Sequence, residues 1–397
     1  MIAYPDALSL LIAATPRLGD EDVRLDDAMG RVLAADVVSP LALPGFDNSA
    51  MDGFALRMPD EGWRAGRTFH VAAMHAAGDA TAAYPGAEAC EIATGARIPE
   101  GFDTVVPVER CERDGDVVRL LRDETPGLNI RRAGDDVAVG DIALPAGKRI
   151  DAAAIMLLAA LGIDGVTVTR RPRVAVITTG SELHADGPLP EGGIHDSNGP
   201  YLMASLARWG ATVVARARVP DTGDAFRHAL RVALDAEADL ILTTGAVSAG
   251  RFDFVPTTLA SLGARELFHK VAIRPAKPLM AARFDDGPLV IGLPGNPIAV
   301  ATGYRFFVAP TLRAMAGMAP ERPLRLRLAE APAVREGMHH FQLGTIRSDG
   351  GEPVASLLAV QAAYRIAPFT RADVWLTAAN AFGDVVTAWP LDPADAP

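Results

Sequence analysis

The chain of 397 residues is predicted to be a multidomain protein of α/β and β type. A parallel-sheet α/β domain sits between a β-rich lobe upstream and a small barrel or sandwich downstream. Three observations predict this. From residue 171 onward, short apolar runs alternate with helix-type segments, and each run ends in a loop holding Gly with Thr, Ser, Asp or Glu. That is the pattern of βαβ units with right-handed crossovers. Between residues 68 and 141, short β-type runs are separated by Gly, Pro and Asp, which reads as a turn-rich β lobe. From Pro323 the runs are again β-type, enough for a small barrel or sandwich. A chain of this length is too long for one typical core.

Taken in order, residues 1–40 read as a helix with Leu8, Leu11 and Ile12 on one face, a polar break, then a short helix over 25–33 with a strand. The stretch 43–55 is dense in turn formers and short polar side chains. Strands are expected at 70–73, 91–93, 104–108 and 117–121, with conspicuous polar loops at 94–101 and 129–136. Asp151 is placed to cap a helix ending at Leu161. The style changes at Arg171-Pro172, a domain boundary. Buried strands follow at 174–177, 212–219, 240–242 and 289–292, with helices at 200–209, 225–234 and after Pro297. Three later runs, 324–328, 374–378 and 385–388, are β-type.

Composition narrows the function classes. Hydrophobic content of 49% with 22% charged residues describes a soluble globular protein. A formal net charge of -11 argues against a general nucleic-acid or anionic-membrane binder, yet leaves room for a local cationic pocket. The apolar run 152–163 is too short to span a bilayer, and the first residues lack the basic stretch of a signal peptide. A cytoplasmic protein without nucleic-acid or membrane partners is expected. Cys90 and Cys111 lack metal-type spacing and read as buried thiols. Of 38 basic residues only Lys148, Lys270 and Lys277 are lysines. Two of these three lie in one short segment, where a compact ammonium that Arg cannot replace is the sharper reading.

The strand-end loops carry the chemistry. The loop from Asp239 to Asp253 holds Gly245, Ser248 and Gly250 and ends on a carboxylate. A strand feeding such a loop presents backbone N–H groups to an anion at the carboxyl edge of an open sheet. Glu182, Asp221 and Asp253 lie on three such loops, and Mg²⁺ takes one or two carboxylates plus substrate phosphate oxygens. Helix capping is the ordinary use of any one of them. Lys270, Arg274 and Lys277 share a segment that Pro275 and Pro278 hold extended, suited to a tetrahedral oxyanion or phosphate. Pro297 at a helix start leaves N-terminal N–H groups for an anion. His339 and His340 have no partners at zinc spacing and read as surface residues.

Together these motifs resemble the molybdopterin molybdenumtransferase family (MoeA and the gephyrin E domain) over nearly the whole chain. The resemblance rests on NSAMDG at 48–53, ATGA at 93–96, GDD at 134–136, TGSEL at 179–183, DSN at 196–198, residues 248–253, residues 270–278 and LPGNP at 293–297. It implies an elongated homodimer with an N-terminal dimerisation region over 1–170 carrying a lobe at roughly 46–140. A molybdopterin-binding α/β domain over 171–319 and a C-terminal β-barrel over 320–397 would follow. The implied activity is Mg²⁺-dependent insertion of molybdate into adenylylated molybdopterin with release of AMP, the molybdopterin adenylyltransferase being a candidate delivery partner. Adenylylation itself is the second enzyme reading. A divergent paralogue or scaffold that binds molybdopterin with weak or no catalysis is the alternative of another class.

Carried over residue by residue, the resemblance implies catalytic roles for Asp52 and Thr94 from one subunit. From the other subunit it implies Glu182, Asp221, Asp253, Lys270, Arg274 and Lys277, with Glu182, Asp221 and Asp253 on the metal. Substrate binding would fall to Ser49, Asp136, Thr179, Gly180, Asn198, Gly245, Ser248, Pro278, Pro294, Gly295, Asn296 and Pro297. The sequence departs from the family at four places. Ala246 and Ala276 stand where it has Gly, Arg274 where it has Lys, and the segment at 361–367 with Ala363 where it is serine-rich. There, Arg365 offers a replacement charge.

Overall fold

The computed structural model describes residues 1–80, 83–247, 254–334 and 336–392. At its centre a six-stranded sheet runs in the spatial order Thr212–Val219, Arg173–Thr179, Leu240–Thr244, Leu289–Leu293, Met280–Phe284 and Ala264–His269. The first four strands are parallel and are those read from the sequence. The last two are antiparallel, which the all-parallel expectation missed. The reason is the connection between them: residues 270–279 hold no helix, and a parallel return needs a crossover of a dozen or more residues.

Strand periodicity divides the core in two. Leu240 and Leu242 join Val174 and Val176 on one face, while Ile241 joins Ala175 and Ile177 on the other. Both faces are covered, which is why these strands are apolar throughout. The helix Gly223–Asp235 covers the second face with Phe226, Ala229, Leu230 and Ala233, spaced as one helical stripe. Thr222 caps it, its Oγ1 accepting from the Ala225 N–H at 3.4 Å. Burial of Phe226 alone is worth about 1.5–3 kcal/mol. Leu202 and Leu206 of the helix Asn198–Arg208 and the helical stretch 297–315 cover the first face.

The helix Tyr4–Ala13 also belongs here: Ala7 and Leu11 enter the first-face cluster, and Ile2 bridges Val271. The first residues therefore ride on the α/β domain. Residues 25–33, read as a short helix, form only the single turn Leu25–Asp27. The strand before it, Asp20–Arg24, pairs with Gly165–Thr169. Asp151 caps the helix Ala152–Ala160 as expected, accepting from the Ala154 N–H at 2.7 Å.

In the lobe, six strands run in the order Thr104–Pro107, Gly53–Leu56, Ala89–Ile92, Thr68–His75, Val117–Leu120 and Cys111–Asp114. Gly53 is required by a close approach, since a Cβ there would lie 2.1 Å from the Val106 carbonyl oxygen.

Downstream, five strands close into a barrel: Leu324–Leu328, His339–Asp349, Glu352–Leu357, Val374–Ala379 and Val385–Pro390. Closure comes from His339–Asp349, which pairs with both Glu352–Leu357 and Val374–Ala379. Its first residues also pair in parallel with Ile273–Arg274, which carries the α/β domain onto the barrel. The surface assignment of His339 and His340 is thereby overturned. His340 is 2% exposed, and the half-buried His339 ring lies 4.7 Å from Tyr4 and 4.9 Å from Phe341. Strands on both sides enclose the pair.

Candidate functional site

The carboxyl ends of the parallel strands form a rim of loops tied to one another. The Ser181 N–H donates to Asp221 at 3.0 Å, and the Asp221 N–H returns a bond to Ser181 Oγ at 3.1 Å. Glu182, next to Ser181, is exposed and its carboxylate turns back over Gly180. Thr179 Oγ1 donates to the Thr244 carbonyl, and the Gly245 N–H donates to the Leu293 carbonyl, both at 3.0 Å. Asn198 Nδ2 donates to the Gly295 carbonyl at 2.7 Å. Four strand-end loops are thus one connected edge. Ser248 and Asp253 lie outside the described residues. Among the described residues no three His, Cys, Asp or Glu side chains group as a metal site. Glu182 and Asp221 are the two rim carboxylates that fit a Mg²⁺ completed by substrate phosphate.

Gly245 has φ of +86°, and a Cβ there would meet Thr179 Oγ1 at 2.6 Å and the Thr179 carbonyl at 2.7 Å. Ala246 beside it has φ of +51°. Ala276 has φ of +77° and Lys270 has φ of +67°. The segment 270–278 is accordingly extended only over the short strand Ile273–Arg274, the strap its prolines suggested being folded back on either side of it. The Lys270 N–H donates to the Leu279 carbonyl, the Val271 N–H to the Lys277 carbonyl, and the Arg274–Pro275 bond is cis. Prolines fix their own φ, whereas the positive φ of Lys270 before them and of Ala276 between them reverses the chain.

That folded segment forms one wall of a cavity of about 590 Å³ between the α/β domain and the barrel. Arg274, Lys277, Pro278, Pro294 and Asn296 line it from the α/β side. His340, Gln342, Gln361 and Arg365 line it from the barrel side. Among the described residues no Asp or Glu lines it, so in a chain of net charge -11 this is a local excess of positive charge. Lys270 does not line it: it is half-buried at the start of the turn, its backbone carbonyl accepting from Ile2.

The N-terminal end of the helix Pro297–Gly303 is only partly available to an anion, contrary to expectation. The Ile298 N–H already donates to the Ala363 carbonyl at 2.9 Å, because the 361–365 turn docks onto it. Gln361 holds that turn. Its Oε1 accepts from the Leu343 N–H at 2.7 Å, and its Nε2 donates to the Leu343 and Leu358 carbonyls at 2.8 and 2.9 Å. His340, Gln342 and Gln361 were missed by sequence reasoning. The signal that could have exposed His340 and Gln342 was the apolar alternation of Phe341, Leu343 and their neighbours in one long strand, while no such pattern marks Gln361.

The polar loops of the lobe form a second cluster. Asp52 Oδ1 accepts from the Thr94 N–H at 2.7 Å. The Ser49 N–H donates to the Ala96 carbonyl at 2.9 Å, and the Gly95 N–H donates to the Ser49 carbonyl at 2.8 Å. Residues 130–131 pair with 48–49. Asp47 accepts from the Ala133 N–H and from Arg132, which together hold its carboxyl below the usual carboxylate range. Asp136 is exposed beside this cluster, its N–H on the Leu43 carbonyl. Among the described residues, the hydrogen bonds of the lobe stay within 39–141. Asp52, Thr94, Ser49 and Asp136 therefore form a cluster that no hydrogen bond among the described residues ties to the strand-end rim.

Known proteins share this arrangement. The family model for the MoeA N-terminal region (domains I and II) matches residues 2–162, and that for a probable molybdopterin binding domain matches 175–314. A molybdopterin molybdenumtransferase of Synechococcus elongatus is 37% identical over 364 residues, covering 88% of this chain and 89% of its own. Molybdopterin molybdenumtransferase 2 of Mycobacterium tuberculosis is 39% identical over 349 residues, covering 83% and 85%. The crystal structure of the molybdopterin biosynthesis moeA protein of Pyrococcus horikoshii OT3 superposes with a TM-score of 0.83 at 26% identity, covering 98% of this chain and 100% of that one. Through this similarity in sequence, motif order and three-dimensional arrangement, the chain belongs to the molybdopterin molybdenumtransferase (MoeA) family.

Proposed function

We propose that the protein acts in molybdenum cofactor biosynthesis as a transferase that inserts molybdate into adenylylated molybdopterin and releases AMP. The observation that carries this reading is the cavity walled by Arg274, Lys277 and Arg365 with no carboxylate among the described residues, joined to the rim by the shared loop Leu293 to Pro297. A polyanionic substrate and an oxyanion need such separation of roles: cations where the oxyanion sits, carboxylates where a metal and phosphates sit.

In this reading Arg274 and Lys277 hold molybdate, with Pro278, Pro294 and Asn296 shaping its wall. Thr179, Gly180, Asn198, Gly245, Gly295 and Pro297 form the backbone edge for the pterin and phosphates, with Ser248 as a further contact. Glu182 and Asp221 hold Mg²⁺, with Asp253 as third ligand, and the ion supplies charge neutralisation at the separating phosphate. Lys270 stabilises the leaving phosphate from its turn. Asp52 and Thr94, with Ser49 and Asp136, complete the site from the partner subunit of a homodimer, which suits a lobe that among the described residues makes no hydrogen bond to its own rim. The setting is the cytoplasm, with the adenylyltransferase delivering substrate.

The test is AMP release by the purified protein given adenylylated molybdopterin, Mg²⁺ and molybdate. Release that requires molybdate and drops at least a hundredfold in Asp221→Asn or Asp253→Ala, with unchanged folding, supports the reading. Equal release without molybdate would point to a plain hydrolase. Tight binding of molybdopterin without any release favours a non-catalytic scaffold, the reading that Ala246 and Ala276 at positive φ keep in view.

A further inference from the structure

We infer that Arg365 is a specificity-determining residue of the cavity, selecting a doubly charged tetrahedral oxyanion over a singly charged one of the same size. The inference rests on the proposed placement of molybdate in that cavity. Its basis is how charge is arranged there, in contrast with the other arginine-rich cleft of the molecule.

That other cleft, about 270 Å³ between the N-terminal region and the α/β domain, is lined by Arg31, Arg149, Arg170, Arg171 and Arg208. Most of these charges are already spoken for. Arg31 pairs with Glu21, Arg170 with Asp239 and Arg208 with Asp392, while Arg149 donates to the Gly30 and Arg208 carbonyls. They join domains.

In the cavity beside the barrel the situation is reversed. Arg274, Lys277 and Arg365 are exposed, and among the described residues none has a side-chain hydrogen bond or ion pair. Two cations on the α/β side and one on the barrel side line the same cavity, with no ion pair among the described residues, and each is positioned through its backbone. Arg274 sits on a strand paired to the barrel in register with His340. Lys277 is fixed because its own carbonyl accepts from Val271 at 3.0 Å. Arg365 is the C-terminal residue of the turn that Gln361 and the Ala363–Ile298 bond anchor, and its N–H donates to the Ala362 carbonyl at 2.9 Å. An incoming anion would therefore meet cations that no described carboxylate has already paired.

Coulomb attraction scales with the charge of the ligand. Two cations suffice to balance a dianion, and the third makes the site net positive even when it is filled. Removing one cation takes about twice as much interaction from a dianion as from a monoanion of equal radius. A purely steric or structural role would weaken both alike.

The experiment is calorimetric titration of the full-length protein with molybdate and, as the isosteric monoanion, perrhenate, at low ionic strength and without pterin. Variants are Arg365→Ala, Arg365→Lys and Arg274→Ala, each checked for an unchanged melting temperature. Wild type should prefer molybdate. Arg365→Ala should weaken molybdate about 10- to 100-fold, the range for a charge-assisted hydrogen bond, and perrhenate clearly less, so that the molybdate-to-perrhenate ratio falls. Arg365→Lys should restore most of the ratio. Loss in Arg274→Ala with wild-type affinities in Arg365→Ala would overturn the inference and leave the proposed reaction standing. An equal loss for both anions in Arg365→Ala would overturn it too. Molybdate binding that neither variant alters would remove the cavity from the oxyanion's path, and both readings would fall with it.

Discussion

Two alanines stand out at the residue scale. Ala246 and Ala276, at positions where the resemblance implies glycine, both adopt positive φ, +51° and +77°. For a residue with a Cβ this conformation costs about 1–2 kcal/mol, against about 0.4–1 kcal/mol that alanine recovers by restricting the unfolded chain. Ala246→Gly and Ala276→Gly should each therefore raise the free energy of unfolding by about 0.5–1 kcal/mol, read from urea midpoints at unchanged slope. A decrease in both would show that these loops are not under strain. His339 gives the second prediction. Burial, then the neighbouring His340, pulls its pKa down to about 4. In the unfolded chain it titrates near 6.5, so the unfolded state takes up the proton first and stability falls as pH drops from about 6.5 toward 4. Melting temperature should decline between pH 6.5 and 5, above the range of ordinary carboxylates, and His339→Phe should flatten that part of the profile.

Elements position these residues through loops that tolerate little change. The strand Leu240–Thr244 ends at Gly245, packed against Thr179 at the end of the neighbouring strand. Gly245→Ala combines a positive φ with two contacts below 3 Å and should cost about 2 kcal/mol or more, with AMP release falling well below that of Ala246→Gly. A stable, active Gly245→Ala protein would refute the close-packed rim. The turn at 361–365 makes the same point in the barrel. Its three Gln361 side-chain bonds hold Ala363 against the helix start, where the Ala363 carbonyl takes the Ile298 N–H that a sequence reading had left for an anion. A helix N-terminus offers an anion only the N–H groups that the fold has not already engaged.

Across the whole molecule, the cavity exists because the α/β domain and the barrel are locked together. Arg305, on the helical stretch crossing the sheet, is 2% exposed at its side chain and pairs with Glu321 at 2.5 Å. It also donates to the Pro390 carbonyl at 2.8 Å and lies over the Phe306 and Trp389 rings. Breaking a buried pair by removing one member leaves an uncompensated charge and typically costs about 3–5 kcal/mol. Arg305→Met should lower stability by that amount, whereas the double change Arg305→Met with Glu321→Leu should recover much of it. If the single and double variants unfold alike, the pair does not hold the two domains.

How far these features could be read in advance differs by scale. The four parallel strands were legible because a strand buried on both faces is a continuous apolar run, and a glycine at each run's end, with a carboxylate at three of the four, marked the rim. The antiparallel pair, Ala264–His269 and Met280–Phe284, was not legible, because nothing local distinguishes an edge strand that returns through turns from one that returns through a helix. His340 looked like a surface residue since its burial comes from strands distant in sequence, Ile273–Arg274 and Val374–Ala379. By itself, then, the sequence determined the domain order, the parallel strands, the glycine-bearing loops and the family, all properties written in local pattern and motif order. Only the tertiary structure decided that Arg274, Lys277 and Arg365 face one cavity while Lys270 stands apart. Which charges converge depends on turns and on domain docking, and no local interaction encodes either.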